Sequence, residues 1–294
     1  MVSILDLILS SEQAKVLRDH LFKQVTFKGL TIEGFSKAAV QTYWHIPEMK
    51  LGFDIGAQPW EFMGTPRWFI SHTHLDHILC LAAYIARRRM MKMSPPTIYL
   101  PDDAVNTVKQ LLGNFSRLDQ GRLPCTIVGV RPGDEIELSR ELLVSVHRTW
   151  HTINSVGYLV WERRKKLKPE YAELSEHQCR ELARAGHNLS YEIRLPKVAY
   201  FGDSTPRGFD ENPEFYQAEI LIFEMTFVAE THRMEAIHKF GHCHLDDIIE
   251  RRDCFKNQLL IASHFSTRYH DRQIVQTIEH RIPDMLGGRL VLWV

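Results

Sequence analysis

The segment SHTHLDHI, Ser71–Ile78, crowds His72, His74, Asp76 and His77 into one short stretch. Imidazole nitrogens and carboxylate oxygens are good zinc ligands. His72 and His74 stand two apart, so on an extended segment both side chains can point the same way. Asp76 and His77 follow at the turn into a helix. Packing alone does not call for such a cluster, because ionisable groups are rarely buried unless paired or bound to a metal. Side chains this close can serve two ions. Zinc takes about four ligands, so a two-metal site needs further donors from elsewhere in the chain.

Later segments offer them. His151 follows LLVSVHRTW, Asp203 ends KVAYFGDS and His264 stands in LLIASHFS. Each is a ligand type at the C-terminal edge of an apolar run, where loops gather and sites form. Asp203 could bridge two ions through its two oxygens. Taken singly, each could equally be an ordinary strand-end residue, and GDS could be a simple turn. His147, His177 and His280 are read as surface or satisfied core residues.

These residues need a frame. LGFDIG predicts a strand ending in Asp54 and Gly56, and WFIS a buried strand whose following loop carries the cluster. A helix is predicted over ILCLAAYIARRRMMKM, and another over DDAVNTVKQLLGNF, Asp-capped and with Gly113 near its end. Ser10 or Ser11 caps a helix through EQAKVLRDHLF. Strands are read at TIYLP, CTIVGV, DEIEL, LLVSVHRTW, SVGYLVWE, KVAYFGDS, EILIFEMTF, LLIASHFS and RLVLWV. Helices are read at LDDIIERRDCFKN and DRQIVQTIEHRI. Strand-dense blocks in each half predict an α/β fold with two sheets face to face and helices outside. The polar stretch Arg163–Pro196 reads as a helical excursion, with Ser175 and Gln178 as a capping box and Gly186 as its stop. The chain 1–294 is therefore expected to be a single domain with an insertion at about 163–196.

Composition narrows the partners. The formal net charge is zero, from 36 basic and 36 acidic residues, so no global field announces a nucleic acid. Local clusters would have to hold one. RRRMMK (Arg87–Lys92) and RRKKLK (Arg163–Lys168) are the candidates. Cys80, Cys125, Cys179, Cys243 and Cys254 are odd in number and widely spaced, without a CxxC. That pattern argues against a disulfide framework and for a reducing, cytoplasmic location. MVSILDLILSSEQ has no basic leader region or cleavage site, so no signal peptide is expected, and no run reaches the length of a membrane span.

HxHxDH after a strand resembles the metallo-β-lactamase superfamily. The ordered motifs FDIG, SHTHLDH, TWHTINSVGY, AYFGDST, IFEMTF, FGHCHLDDI and IASHFSTRY resemble ribonuclease Z, the tRNA 3′-processing endonuclease. GLTIEGFS, KMSPPTIYLP and LKPEYAELS look closest to its short plant-type form. The resemblance implies an αββα sandwich of two mixed sheets and two zinc ions, with manganese as a substitute. His72, His74 and His151 would hold one ion. Asp76, His77 and His264 would hold the other, with Asp203 bridging.

Asp54 would hydrogen-bond a ligand histidine. Glu224 and His242 would pair beside the leaving group, with His244 as a second candidate, and Asp76 would join them as catalytic. The implied substrate is precursor tRNA, cut by activated water to release the 3′ trailer. The implied assembly is a homodimer with no membrane partner. The excursion at 163–196 stands where this family carries an arm that clamps the tRNA elbow, often for the partner subunit's site. Leu79 and Cys80 replace a frequent glycine pair and are expected to narrow the site or to alter how the chain approaches it. FSKAAVQTYW replaces a more glycine-rich segment. Another two-zinc phosphodiesterase or esterase with a smaller substrate is the alternative, and a metal-binding but inactive RNA-binding or assembly protein a third reading.

Overall fold

The computed structural model describes residues 23–229 and 234–294. The helix expected through EQAKVLRDHLF lies outside the described residues.

Two seven-stranded sheets form the body. The first runs in sequence order through β1 (Lys23–Phe27), β2 (Leu30–Lys37), β3 (Gln41–Ile46), β4 (Leu51–Ile55), β5 (Arg67–Phe69), β6 (Thr97–Pro101) and β7 (Thr126–Val130). The second holds β8 (Glu135–Glu137), β9 (Leu142–Trp150), β10 (Asn154–Leu167), β11 (Ser190–Tyr200), β12 (Ile220–Glu224), β13 (Leu259–Ser263) and β14 (Leu290–Leu292), again side by side in sequence order. Each sheet is antiparallel through its first four strands and parallel through the rest. The antiparallel strands are joined directly in most cases, whereas parallel neighbours need longer crossovers, which carry most of the helices.

Alternation along the strands sorts side chains between layers. Val156, Tyr158 and Val160 of β10 pack between the sheets with Phe53, Phe69, Val144, Val146, Tyr200 and Ile222. Leu159, one residue out of phase, belongs to the outer layer with Phe201, Phe209, Ile248, Ile274 and Ile278. Helix Leu81–Met90 buries Leu81, Tyr84, Ile85 and Arg88, one face at helical spacing, against Trp68 and Ile98 on the other outer surface. The order of layers is helix, sheet, sheet, helix, the α/β sandwich of two mixed sheets expected from the sequence.

Three expectations need correction. The helix after the histidine loop is two pieces, Leu75–Ile78 and Leu81–Met90. The break at Leu79–Cys80 turns the Cys80 N–H onto the carbonyl of Ile55, fastening the loop to the end of β4. Helix Val105–Leu118 has no side-chain cap and runs past Gly113, because Val108 and Leu112 anchor it to the core.

The excursion at 163–196 is mainly a β-ribbon. β10 continues through Arg163–Leu167, paired residue by residue with Ser190–Arg194. Only its far end is helical, at Glu176–Arg184, where Ser175 and Gln178 do form the capping box and Gly186 follows with φ +88. A run of charged residues carries no apolar alternation, so strand pairing there leaves no local signature. A bulge, with Val160 opposite Val198 and Trp161 opposite Pro196, marks where the ribbon leaves the body. Proline lacks the N–H a regular ladder would use.

Candidate metal centre

Strand ends from both sheets converge on one edge of the sandwich. The histidine loop follows β5. Asp54 lies within β4, His151 follows β9, Asp203 follows β11, and His264 follows β13. The first sheet thus brings the clustered residues and the second brings the scattered ones.

His72 Nε2 lies 3.1 Å from His74 Nδ1, and His151 Nε2 lies 3.0 Å from the same nitrogen. His77 Nε2 is 3.4 Å from His264 Nε2, and Asp76 Oδ2 is 3.6 Å from each of them. One oxygen of Asp203 faces both groups, at 3.8 Å from His72 Nε2 and 3.4 Å from His77 Nε2 and His264 Nε2. Tetrahedral zinc with bonds of about 2.1 Å sets its donors on edges of about 3.4 Å. The observed spacings match that figure, so the donor set fits two divalent ions.

Electrostatics point the same way. His72 and His77 are fully buried, and Asp203 and His264 nearly so. Several nitrogens converging at this range can be satisfied together by a cation set between them. Burial, aided by His77, holds the His72 imidazole well below its ordinary range, and burial likewise lowers His74 and His151. Neutral imidazole is the metal-binding form. At His77 burial is outweighed by Asp203 and Asp54, which favour its cation. Asp76 is half-buried, which would raise its carboxyl, yet His264 and His77 hold it down to about 2.

The second nitrogens of His72, His77, His151 and His264 are engaged, which fixes tautomers and ring planes. His77 Nδ1–H donates to Asp54 Oδ2 at 2.7 Å. That carboxylate also accepts the Ser71 N–H at 2.7 Å, the Ser71 hydroxyl at 2.8 Å and the Tyr200 hydroxyl. Asp54 itself adopts φ +50, a left-handed backbone that turns its side chain onto this cluster. His151 Nδ1–H donates to the Gly241 carbonyl at 2.9 Å, and His264 Nδ1 meets Thr226 Oγ1 at 3.2 Å. Gly56 lets the turn lie against β4, because a Cβ there would stand 1.7 Å from the Asp76 carbonyl oxygen.

Beside the donors, His242 Nδ1–H donates to Glu224 Oε1 at 3.0 Å. Glu224 is buried and also accepts from Ser204 N–H at 2.9 Å and from the Thr226 hydroxyl. Burial would lower His242, but Glu224 outweighs it and raises the imidazole to about 9. Its ring centroid lies 4.9 Å from that of His151. His244 is turned away. It caps helix Leu245–Glu250 by accepting the Asp246 N–H at 3.1 Å, and its Nε2 meets the Ala229 carbonyl. Of the two candidate histidines, His242 alone joins the centre.

Leu79 does not narrow the site. It is 59% exposed and points away from the cleft of about 500 Å³ over the donors, whose walls include Leu75, Phe227, Thr267 and Arg268. Cys80 is turned to the β4 side. The FSKAAVQTYW segment instead reaches inward, with the Ala39 N–H donating to Asp76 Oδ2 at 2.9 Å. Ala39, Thr226 and Gly241 are contributors that the sequence reading missed; they act through backbone groups or a common hydroxyl, so residue type gave no signal.

The basic clusters also change character. Arg88 is buried and donates to the carbonyls of Met63, Thr65 and Ser94, so RRRMMK is in part a structural clasp. Arg163 is held by Glu137 and the Ser139 carbonyl, while Lys165 and Lys166 are exposed on the ribbon.

Among the described residues no helix is long and apolar enough to cross a membrane. No protein-family model matches the chain. A tRNase Z of Arabidopsis thaliana is 33% identical over 270 residues, covering 91% of this chain and 96% of the relative. The chloroplastic tRNase Z of the same plant is 32% identical over 258 residues, covering 87% and 73%. Among solved structures, the metallo-β-lactamase fold protein YhfI of Bacillus subtilis superposes with a TM-score of 0.56 at 12% identity, covering 90% of this chain and 87% of that one. With its two mixed sheets, its convergent histidines and this degree of likeness to plant enzymes, the chain belongs to the tRNase Z (ribonuclease Z) family.

Proposed function

We propose that this protein is a zinc-dependent endoribonuclease that removes the 3′ trailer from precursor tRNA. The observation that carries the reading is the pairing of His242 with buried Glu224 at the lip of a donor set suited to two ions. His72, His74 and His151 would hold one ion, and Asp76, His77 and His264 the other, with Asp203 shared. Two zinc ions, or manganese in their place, supply an activated water and charge neutralisation at the scissile phosphate when bound. His242 holds a proton at neutral pH and presents it to the departing ribose 3′ oxygen. Glu224 keeps that proton in place and orients the ring. General-acid help of this kind is typically worth about 10²–10⁴-fold. The Ala39 N–H fixes the Asp76 carboxylate, and Asp54 fixes His77.

The whole chain acts as one domain with the ribbon as its tRNA-holding arm. β10 leaves the metal edge at Asn154 and spans 14 residues, on the order of 45 Å at the usual strand rise. An arm that reaches that far from its own centre is suited to the tRNA elbow or to a partner subunit's substrate. Leu111, Phe115 and Leu118 lie exposed along one helix face, which favours a homodimer. Five free cysteines suit a cytoplasmic setting.

The test supplies metal-loaded protein with a precursor tRNA carrying a 3′ trailer, and separately with bis(p-nitrophenyl) phosphate, and maps the cut. Cleavage at the trailer junction supports the reading. Hydrolysis of the small ester without any precursor cleavage points instead to a phosphodiesterase of smaller substrates.

A further inference from the structure

Trp150 immediately precedes His151, and its side chain plays no part in holding the donors. Its indole carries the Arg207 guanidinium at 4.6 Å from the ring centre and the Arg148 guanidinium at 5.4 Å. Both arginines are exposed, and Arg148 pairs with no carboxylate among the described residues. Arg207 shares its charge with Glu211. The indole lines, with Arg148, a groove of about 470 Å³ whose walls also include His147, Trp161 and Glu214.

The backbone places this platform firmly. The Trp150 N–H donates to Ser204 Oγ at 3.0 Å, and its carbonyl accepts the Thr205 N–H at 2.8 Å. It is thus tied to the turn that carries Asp203 while continuing directly into His151. His151, its neighbour in the chain, has its ring 4.9 Å from that of His242.

We infer that the Arg148–Trp150–Arg207 platform is a nucleobase-binding subsite for the nucleotide on the 5′ side of the cut. This rests on the reading of the protein as a trailer-removing nuclease. There the proton of His242 goes to the 3′ oxygen of that nucleotide, so its ribose lies against the His242–His151 flank and its base falls toward Trp150. An indole face accepts any base by stacking, and guanidinium planes extend the stack while facing phosphate oxygens. The subsite therefore takes a 3′-terminal base with little regard to its identity, which suits an enzyme acting on many tRNAs.

The experiment measures binding of two labelled tRNAs to the metal-loaded protein by fluorescence anisotropy. One ends at the nucleotide that precedes the cut, and the other lacks that nucleotide. Wild-type protein binds the longer RNA about ten- to a hundredfold more tightly, the range typical of one stacked base. Trp150→Leu abolishes the difference and Trp150→Phe retains most of it. Arg148→Gln, at an exposed position, shrinks the difference several-fold and covers the case in which Trp150→Leu fails to fold. The inference is overturned if wild type binds both RNAs equally, or if the difference survives both Trp150→Leu and Arg148→Gln. Failure of the nuclease reading is distinct, since it shows as an absence of precursor cleavage whatever these affinities are.

Discussion

Replacing Gly241 by alanine perturbs a ligand histidine without touching it chemically. Gly241 has φ +75, and its carbonyl accepts the His151 Nδ1–H at 2.9 Å. A Cβ added there would stand 2.5 Å from His151 Nδ1, 2.8 Å from its Cα and 2.9 Å from the Thr152 nitrogen. Ordinary contact requires close to 3.4 Å or more, so loop and histidine must separate by nearly 1 Å. A left-handed alanine costs about 1–2 kcal/mol, and the strained hydrogen bond about 1 kcal/mol more. Loss of such a partner to a ligand histidine typically weakens metal affinity or activity by about 10–100-fold.

The assay is a zinc titration against a competing chelator, with bis(p-nitrophenyl) phosphate turnover followed in parallel. One of two zinc equivalents should weaken by that factor while the other holds, and excess zinc should restore part of the rate. Unaltered affinity of both equivalents would refute the reasoning, as would equal weakening of both. Gly113→Ala is the control: that helical site has no atom within 4 Å of an added Cβ, so the change should stabilise the fold by about 0.5–1 kcal/mol.

Glu224→Gln removes the carboxylate that raises His242 to about 9. Burial then dominates, the imidazolium is lost at lower pH, and the alkaline limb of kcat for precursor cleavage should move downward, with kcat reduced about 10²–10⁴-fold; an unmoved limb would remove His242 from the acid role. Asp76→Ala should abolish cleavage while tRNA binding by gel shift persists, and surviving cleavage would exclude Asp76 from the machinery. Replacing Lys165 and Lys166 with glutamine should weaken tRNA binding and reduce its salt slope by roughly 1–2, measured between low and physiological salt; an unaltered slope would take the ribbon out of RNA binding.

The histidine loop was legible because its donors share one local segment, where type and spacing carry information. His151, Asp203 and His264 could be placed only as strand-end residues, because what unites them is sheet order rather than sequence distance. The support beneath them was less visible still. Asp54 was reached through the family resemblance alone, because neither its left-handed backbone nor its full set of donors is declared by its residue type. Gly241 acts through its carbonyl, and Ala39 through its N–H. The arm was misread as mostly helical because Arg164–Lys166 is solvent-facing and charged, so the pairing of Arg163–Leu167 with Ser190–Arg194 depends on a partner more than twenty residues away. The helix break at Leu79–Cys80 was set by a tertiary contact with Ile55 that local propensity does not encode.

The division of the donors between the two sheets would make bound metal ions a rivet through the sandwich. Neither half holds a complete ligand set, so the ions should bind far more strongly to the closed sandwich than to an opened chain. Occupancy then adds to the free energy of closure, by about 4 kcal/mol at a thousandfold excess over Kd. Removing bound metal should therefore lower the melting temperature of such a molecule as well as its activity.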